Sequence, residues 1–542
     1  MEFFHDLERE AIDLQYVLNF LKPVTPYGNL YKSRMGIEKS TDLLREEFSK
    51  QEAYFKVFED IEEVRFSKLV HKISEVKDLR NSFKRAMDGF VLTDVELFEV
   101  KNYLSVVRQL ERFYKDLGLP FYEEVGPRAM PELEEELDPE GSGVMTFYIY
   151  DSYSENLAEI RKKRNSLEAE RRKIVAGIKD KILEEFELRV SPDGALHVAK
   201  DDPRLDEIKA SDLLNYSKEN FRTVEFKLQK SEGQNLIELE IDALKKREEA
   251  EEERIREDLS KKIGKCYIDL YKNAFKIGQL DLYIAKFFYR KAIDGVKPSI
   301  SDEHIIEIEE GFYPLLRDSL RKEGKDFTPI TVSVGQGTTV ITGANMGGKS
   351  VSLKLIGLVQ TLAQIGLYVP CKSAKVGVSN FFRASVGDLQ STETGLSTFG
   401  AEINRIAEAI DIADEGGLLL IDELARGTNP EEGRAITGAV CEYLNSKNTI
   451  TVMTTHYDEI SDRASRHYQV TGLSKANFER LEGIRTIEDK LEFINENMDY
   501  RLFRADKGRA IPKDALNIAS IMGLKKEIID MATEDYHKEV ME

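Results

Sequence analysis

The sequence predicts a chain of two characters. An all-α first half carrying a small β-containing insertion is followed by an α/β second half on a mostly parallel sheet. Three observations predict this. Residues 1–130 and two long charged segments, 152–185 and 234–292, place apolar residues three and four apart, the helical period. Between those segments, "ELRVSPDGALHVAKDD" and "RTVEFKLQ" alternate apolar and polar residues, the period of a half-buried strand. From about residue 297, the apolar runs "TTVITG", "GGLLLID" and "TITVMTT" are separated by helical stretches, the pattern of parallel strands joined by crossover helices.

Composition narrows the class. Of the 542 residues, 33% are charged and 41% hydrophobic, which leaves ample core in a helix-rich, water-borne protein. No apolar run is long enough to span a bilayer, and the start, "MEFFHDLEREAIDLQ", is too acidic for a signal peptide. A cytoplasmic chain with no membrane partner is expected. Cys266, Cys371 and Cys441 lie far apart and form no CxxC pair or His/Cys cluster, so neither a disulfide framework nor a zinc site is expected. The net charge of −21 weighs against a chain that wraps nucleic acid over its whole surface, because phosphate neutralisation needs a basic stripe.

The helical half reads in order. "LREEFSKQEAYFKVFEDIEEVRFSKLVHKI" is amphipathic. "DLGLPFYEEVGPRAMPELEEELDPEGSG", 116–143, is rich in Pro, Gly and Glu and reads as a break or a loosely held loop. Segments 152–185 and 234–292 exceed ordinary helix lengths and read as an antiparallel stalk. The β insertion between them, with a turn at Pro192–Asp193–Gly194, reads as its tip.

The second half carries the chemistry. In "ITGANMGGKS", Gly343 to Ser350 fit G-x-x-x-x-G-K-[ST]. Glycines at 343, 347 and 348 let backbone N–H groups turn inward around phosphate oxygens, and the following helix aims its positive dipole end at them. The expected nucleotide-binding residues are Gly343, Ala344, Asn345, Met346, Gly347, Gly348, Lys349, Ser350 and Val351. Lys349 neutralises β/γ charge and Ser350 ligates Mg²⁺, so ATP and Mg²⁺ are the expected cofactors. "GGLLLIDE", 416–423, is an apolar strand ending in two carboxylates. Asp422 is expected at the metal and Glu423 at the attacking water. "MTTHYDEI" ends the next strand with His456, placed to meet a γ-phosphate. "GDLQSTETGLSTFGAEINRI" holds Asp388 and Gln390, the latter in reach of metal or water, before a helix. At that helix start Ser397 and Thr398 read either as caps or as an anion site for a neighbouring subunit's phosphate.

Taken together, "ITGANMGGKS", "GLSTFGAEI", "LLLIDELARGT" and "TTHYDEI" resemble the ATPase domain of the MutS family, a branch of the ABC-type ATPases. "DLQYVLNFLKPVTPYGN", 13–29, resembles the start of the family's lever domain, and "KGRAIPKDALNIASIMGLKKEIIDMA", 507–532, its helix-turn-helix dimerisation element. "GDLQS" and "GTNPEEG" are closer to the second bacterial branch than to mismatch readers.

The resemblance implies an α/β P-loop ATPase domain preceded by an all-α lever with a clamp tip. The expected boundaries are 1–185 and 233–296 for the lever, 186–232 for the tip, 297–505 for the ATPase domain and 506–542 for the dimerisation element. It also implies that Ser397 reaches a partner's nucleotide in a homodimer, or in a heterodimer with a related subunit.

There are departures. Core-like sequence begins near residue 13, no Phe-x-Glu wedge lies near the start, and no nuclease domain follows the dimerisation element. Phe312 and Tyr313 stand where the family has Arg-His. The tip, 186–230, carries 8 basic against 9 acidic residues, a poor grip on a phosphate backbone. Two clients therefore stay open: structured or recombining DNA, without single-mismatch reading, or a protein. A protein client would be remodelled as by a reactivating factor for the cobalamin-dependent lysine 5,6-aminomutase.

Overall fold

The computed structural model describes residues 3–141, 148–343, 348–386, 398–426, 428–457, 459–472, 499–505 and 527–533, with a few isolated positions after 472. The chain forms two compact units. One contains Glu75–Phe113 and Gly126–Lys276; the other contains Met1–Ser74, Tyr114–Val125 and Ile277–Glu542.

The first of these units is built on two long helices, Glu155–Phe186 and Glu232–Lys265. Each starts on a serine cap. The Ser154 hydroxyl accepts from the Leu157 N–H, and Ser231 forms a capping box with Gln234. The helices run antiparallel, because their cross-contacts descend one as they climb the other. Ser154 Oγ donates to Glu251 at 2.7 Å, Arg161 meets Glu248 at 2.9 Å, and Lys163 meets Glu240 at 2.5 Å. The dense charge thus builds the seam between them, with Arg161 and Glu248 largely buried.

The second long segment differs from the single helix expected over 234–292. It is interrupted at Cys266, and a new helix, Tyr267–Ala292, follows. The interruption comes just after Gly264, where an added Cβ would fall 2.4 Å from the Ala86 carbonyl oxygen.

At the far end of the pair a three-stranded antiparallel sheet forms from β1 (Ala195–Ala199), β2 (Leu214–Glu219) and β3 (Thr223–Leu228), in the order β1-β3-β2. Leu196, Val198, Leu214, Val224 and Phe226 pack with Ile182 and Phe186 of the helix end. Glu187–Val190, expected to alternate as a strand, does not form one. Glu187 ends the helix in the left-handed region, and β1 pairs with β3 instead. The Pro- and Gly-rich stretch after residue 116 also differs from a loose loop. It contains the helices Tyr122–Val125 and Pro131–Leu137, with Val125, Leu133 and Leu137 buried.

The other unit holds two further sheets. The smaller has the order β4-β8-β5-β6, from β4 (Ser299–Ser301), β5 (Ile305–Gly311), β6 (Ile330–Gly335) and β8 (Ser373–Gly377). The larger has the order β13-β12-β7-β11-β10-β9. Its strands are β7 (Gly337–Thr342), β9 (Phe382–Ser385), β10 (Leu418–Asp422), β11 (Ile450–Thr454), β12 (Arg466–Gly472) and β13 (Asp499–Arg504). Every neighbouring pair is parallel except β12–β13. The central strands β7, β10 and β11 are buried along nearly their whole length, threonines included, as strands covered on both faces must be. One face packs Val340, Leu419, Ile421 and Met453 against Ile406, Cys441 and Leu444.

The Lys349–Ile365 helix follows β7, and both its flank and its far end are held by the N-terminal residues and by Lys286. Lys354 Nζ lies 3.3 Å from Asp13, and the Phe382 N–H donates to the Phe3 carbonyl at 2.7 Å. The helix ends in a Schellman turn at Gly366, whose carbonyl accepts from Gln51 Nε2 at 2.8 Å and Lys286 Nζ at 3.2 Å. Lys286 also pairs with Glu47 at 2.7 Å. A cation at this C-terminal end complements the helix dipole.

Lys286→Met should leave Glu47 and the Gly366 carbonyl short of a buried partner and destabilise this unit by about 2 kcal/mol. The shift of its midpoint in urea unfolding checks this.

Candidate active site

β7, β11 and β10 lie side by side and parallel, so their C-terminal ends open at one edge, where ligands of open α/β sheets bind. Register makes these ends level: Thr454 stands opposite Ile341 on one side and Asp422 on the other. β7 hands over to Gly343 at φ 132°, where a Cβ would fall 2.9 Å from Val470 Cβ of β12. Gly348, at φ 82°, is the N-cap of the Lys349–Ile365 helix. Free N–H groups of that first turn form an anion site.

Lys349 is the first residue of this helix and only 5% exposed. Its ammonium donates to the Gly343 carbonyl at 3.1 Å and pairs with Glu423 Oε1 at 3.2 Å. Glu423 itself is largely buried, and its Oε2 lies 3.4 Å from Arg426 Nη1 on the exposed side. One hydroxyl sets both strand-end acids. Thr454 Oγ1 donates to Asp422 Oδ1 at 2.5 Å and accepts from the Glu423 N–H at 3.0 Å.

His456 follows β11 within electrostatic range of the same groups. Burial pushes its imidazole below the usual range; Glu423 opposes this, while Lys349 and Arg426 reinforce it. The ring is therefore neutral at pH 7 and rests against Tyr457, with ring centres 4.1 Å apart.

Lys349, Gly343 and Glu423 are thus in direct contact, with Asp422 and His456 beside them. Ser350 and Val351 share the first helical turn with Lys349; Ser350 is exposed and Val351 half-buried. Ala344, Asn345, Met346, Gly347, Asp388, Gln390 and Ser397 lie outside the described residues, as does nearly all of 506–542; Thr398 opens the Thr398–Asp411 helix. Phe312 and Tyr313 serve packing. The Tyr313 hydroxyl donates to Asp13 at 2.7 Å, and the Arg317 guanidinium lies 3.8 Å from the Phe312 ring centre.

Sequence reasoning missed Thr454 and Tyr500. Tyr500, on β13, puts Cδ1 3.4 Å from where a Cβ on Gly348 would sit, and burial raises its phenol's pKa. Thr454 opens the quoted run "TTHYDEI", but its role comes from strand pairing, as does that of Tyr500, which lies in no quoted motif.

The donor set fits a Mg²⁺-bound triphosphate. It combines a Gly343 that leaves no room for a side chain, a buried lysine at a helix start, and two carboxylates at the adjoining strand end. Among the described residues, no cluster of His, Cys, Asp and Glu forms a separate metal site, and no helix is long and apolar enough to cross a membrane.

Thr454→Val keeps the shape and β-propensity of the strand but frees both acids from their common hydroxyl. ATP turnover should fall about 10- to 100-fold with nucleotide binding retained. Steady-state hydrolysis beside equilibrium nucleotide titration checks this.

Comparison with known proteins agrees with the geometry. Residues 339–539 match the family model described as MutS domain V. The chain is 30% identical over 484 residues to the protein named Endonuclease MutS2 of Halothermothrix orenii, covering 84% of this chain and 56% of that one. The Exiguobacterium sibiricum protein of the same name is 30% identical over 478 residues, with the same coverage. Its namesake in Clostridium botulinum is 34% identical over 303 residues, covering 55% of this chain and 36% of the relative. The chain spans about half the length, or less, of the curated relatives it matches. Residues 339–539 are thus similar to MutS domain V, in a chain that is similar along most of its length to proteins named Endonuclease MutS2.

Proposed function

We propose that the protein binds Mg²⁺–ATP at this site, hydrolyses it as a dimer, and uses the cycle to move its helical arms on structured or recombining DNA. The observation that carries the reading is the Lys349–Glu423 contact at the mouth of the parallel sheet. A triphosphate in the loop competes for the Lys349 ammonium, which turns to the β- and γ-phosphate oxygens. The Glu423 carboxylate is then free to take a proton from the attacking water as its oxygen bonds to the γ-phosphorus and the bridge to the β-phosphate breaks. Mg²⁺, held by Ser350 and Asp422, supplies charge neutralisation on the phosphate oxygens. Neutral His456 hydrogen-bonds the γ-phosphate, Gln390 orients the water, and Tyr500 walls the nucleotide beside Gly348.

Ser397 reaches the nucleotide of the partner, so each site is completed by the other subunit. Residues 1–185 and 233–296 act as the lever and 186–232 as its tip. Similarity to MutS2 proteins supports a DNA client. The mixed charge of the tip suits recognition of a DNA shape more than a strong electrostatic grip.

Glu423→Gln should bind ATP about as tightly as the parent chain while turnover collapses by about a hundredfold or more. Normal turnover in single-turnover assays would remove Glu423 as the base.

Binding to a branched DNA junction should weaken with added salt, with a negative slope of log affinity against log salt. Absence of binding at low salt, measured by anisotropy with ATP present, would transfer the client to a protein.

A further inference from the structure

The loop that follows the strand-end acids is unusual. Glu423 and Ala425 both adopt left-handed backbone, φ 51° and 63°, although neither is glycine. Such conformations persist only where surroundings enforce them. Each of the three residues has its own anchor. Thr454 holds the Glu423 N–H at 3.0 Å, and the Thr437 hydroxyl lies 3.2 Å from the Leu424 carbonyl, sharing its proton with the nearer Gly433 carbonyl at 2.7 Å. The Ala425 N–H donates to Glu402 Oε2 at 3.4 Å. The first two anchors are neutral hydroxyls from β11 and from the Pro430–Asn445 helix. The third is a carboxyl group from the Thr398–Asp411 helix.

Glu402 is out of place as a packing residue. It is half-buried among the neighbours Phe399, Ile403 and Ile406, which pack into the core beneath the loop. Burial raises its pKa, and the Ala425 N–H and Arg405 offset this only in part. An acid in that position costs solvation that an apolar residue would not. Among the described residues its return is a hydrogen bond to the loop, long at 3.4 Å.

We propose that Glu402 is a positioning residue for hydrolysis: through the Ala425 N–H it holds the Glu423–Ala425 loop in the left-handed form that presents Glu423 to the attacking water. This rests on the reading of Glu423 as the base. Glu402 is not among the residues assigned to the nucleotide or the metal, and acts through the Ala425 N–H.

The test compares Glu402→Ala with Glu402→Gln, which keeps an oxygen for the N–H. Glu402→Met, similar in bulk but without that oxygen, stands in if the alanine variant does not fold. The expected result is a kcat about tenfold or more below the parent for the alanine or methionine chain, with the ATP dissociation constant within about twofold. Glu402→Gln should stay within about threefold of the parent kcat. Equal kcat for the variants with and without the oxygen, or loss of ATP binding alongside kcat, overturns the proposal. Glu423→Gln, measured in parallel, separates the two ideas. Its normal turnover sinks the base assignment, whereas its failure beside a fully active Glu402→Ala sinks only the role of Glu402.

Discussion

A lysine buried as the first residue of an α-helix is the constraint around which the C-terminal half is arranged. Lys349 sits where the helix dipole is positive and water is scarce, so both its surroundings and its burial oppose the charge. The fold must therefore bring an anion to it. Glu423 is that anion, and a phosphate group is chemically equivalent to it in charge and reach. A site that needs a negative partner, and keeps a replaceable one on the neighbouring strand, is predisposed to exchange a carboxylate for a triphosphate.

Everything around this pair serves to keep the two partners level. The parallel register of β7, β11 and β10 sets the height of the acids, and the Thr454 hydroxyl binds both of their residues at once. The Lys349–Ile365 helix is held at its other end as well. There the charge logic reverses, and a buried cation, Lys286, meets the carbonyl end together with Gln51. Between the ends, Lys354 meets Asp13, which also accepts from Tyr313. One helix thus has an acid at its start, a lysine at its finish and the N-terminal segment along its side. Displacement at the nucleotide end is resisted or passed on by those contacts.

Several elements were legible because their signal is local. The runs "TTVITG", "GGLLLID" and "TITVMTT" became β7, β10 and β11, since short runs rich in β-branched and apolar residues suit strands covered on both faces. The long helix pair was legible from its length, but the charge that reads as a solvated face builds its seam, and its interruption at Cys266 was not legible, because helical periodicity carries across Gly264 without a mark. β2 and β13 escaped notice because an edge strand with mixed burial has no clean alternation. The Pro-rich stretch concealed short helices, since Pro131 at a first helical position starts a helix as readily as a proline inside one ends it.

By itself, the sequence determined which chemical groups are available: the glycine loop with its lysine, the acids at the end of an apolar run, and the histidine after the next. These follow from residue types at short spacing, and short-range geometry is set by the covalent chain. Only the tertiary structure decided which of them meet, and which residues given no role by the motifs join them. Thr454, Tyr500 and Glu402 owe their places to strand register and helix packing across tens of residues. Tyr313 was likewise assigned to packing by a hydrogen bond to Asp13, 300 residues away along the chain. Contacts of that span are selected by the free energy of the whole core, and no window of sequence contains it.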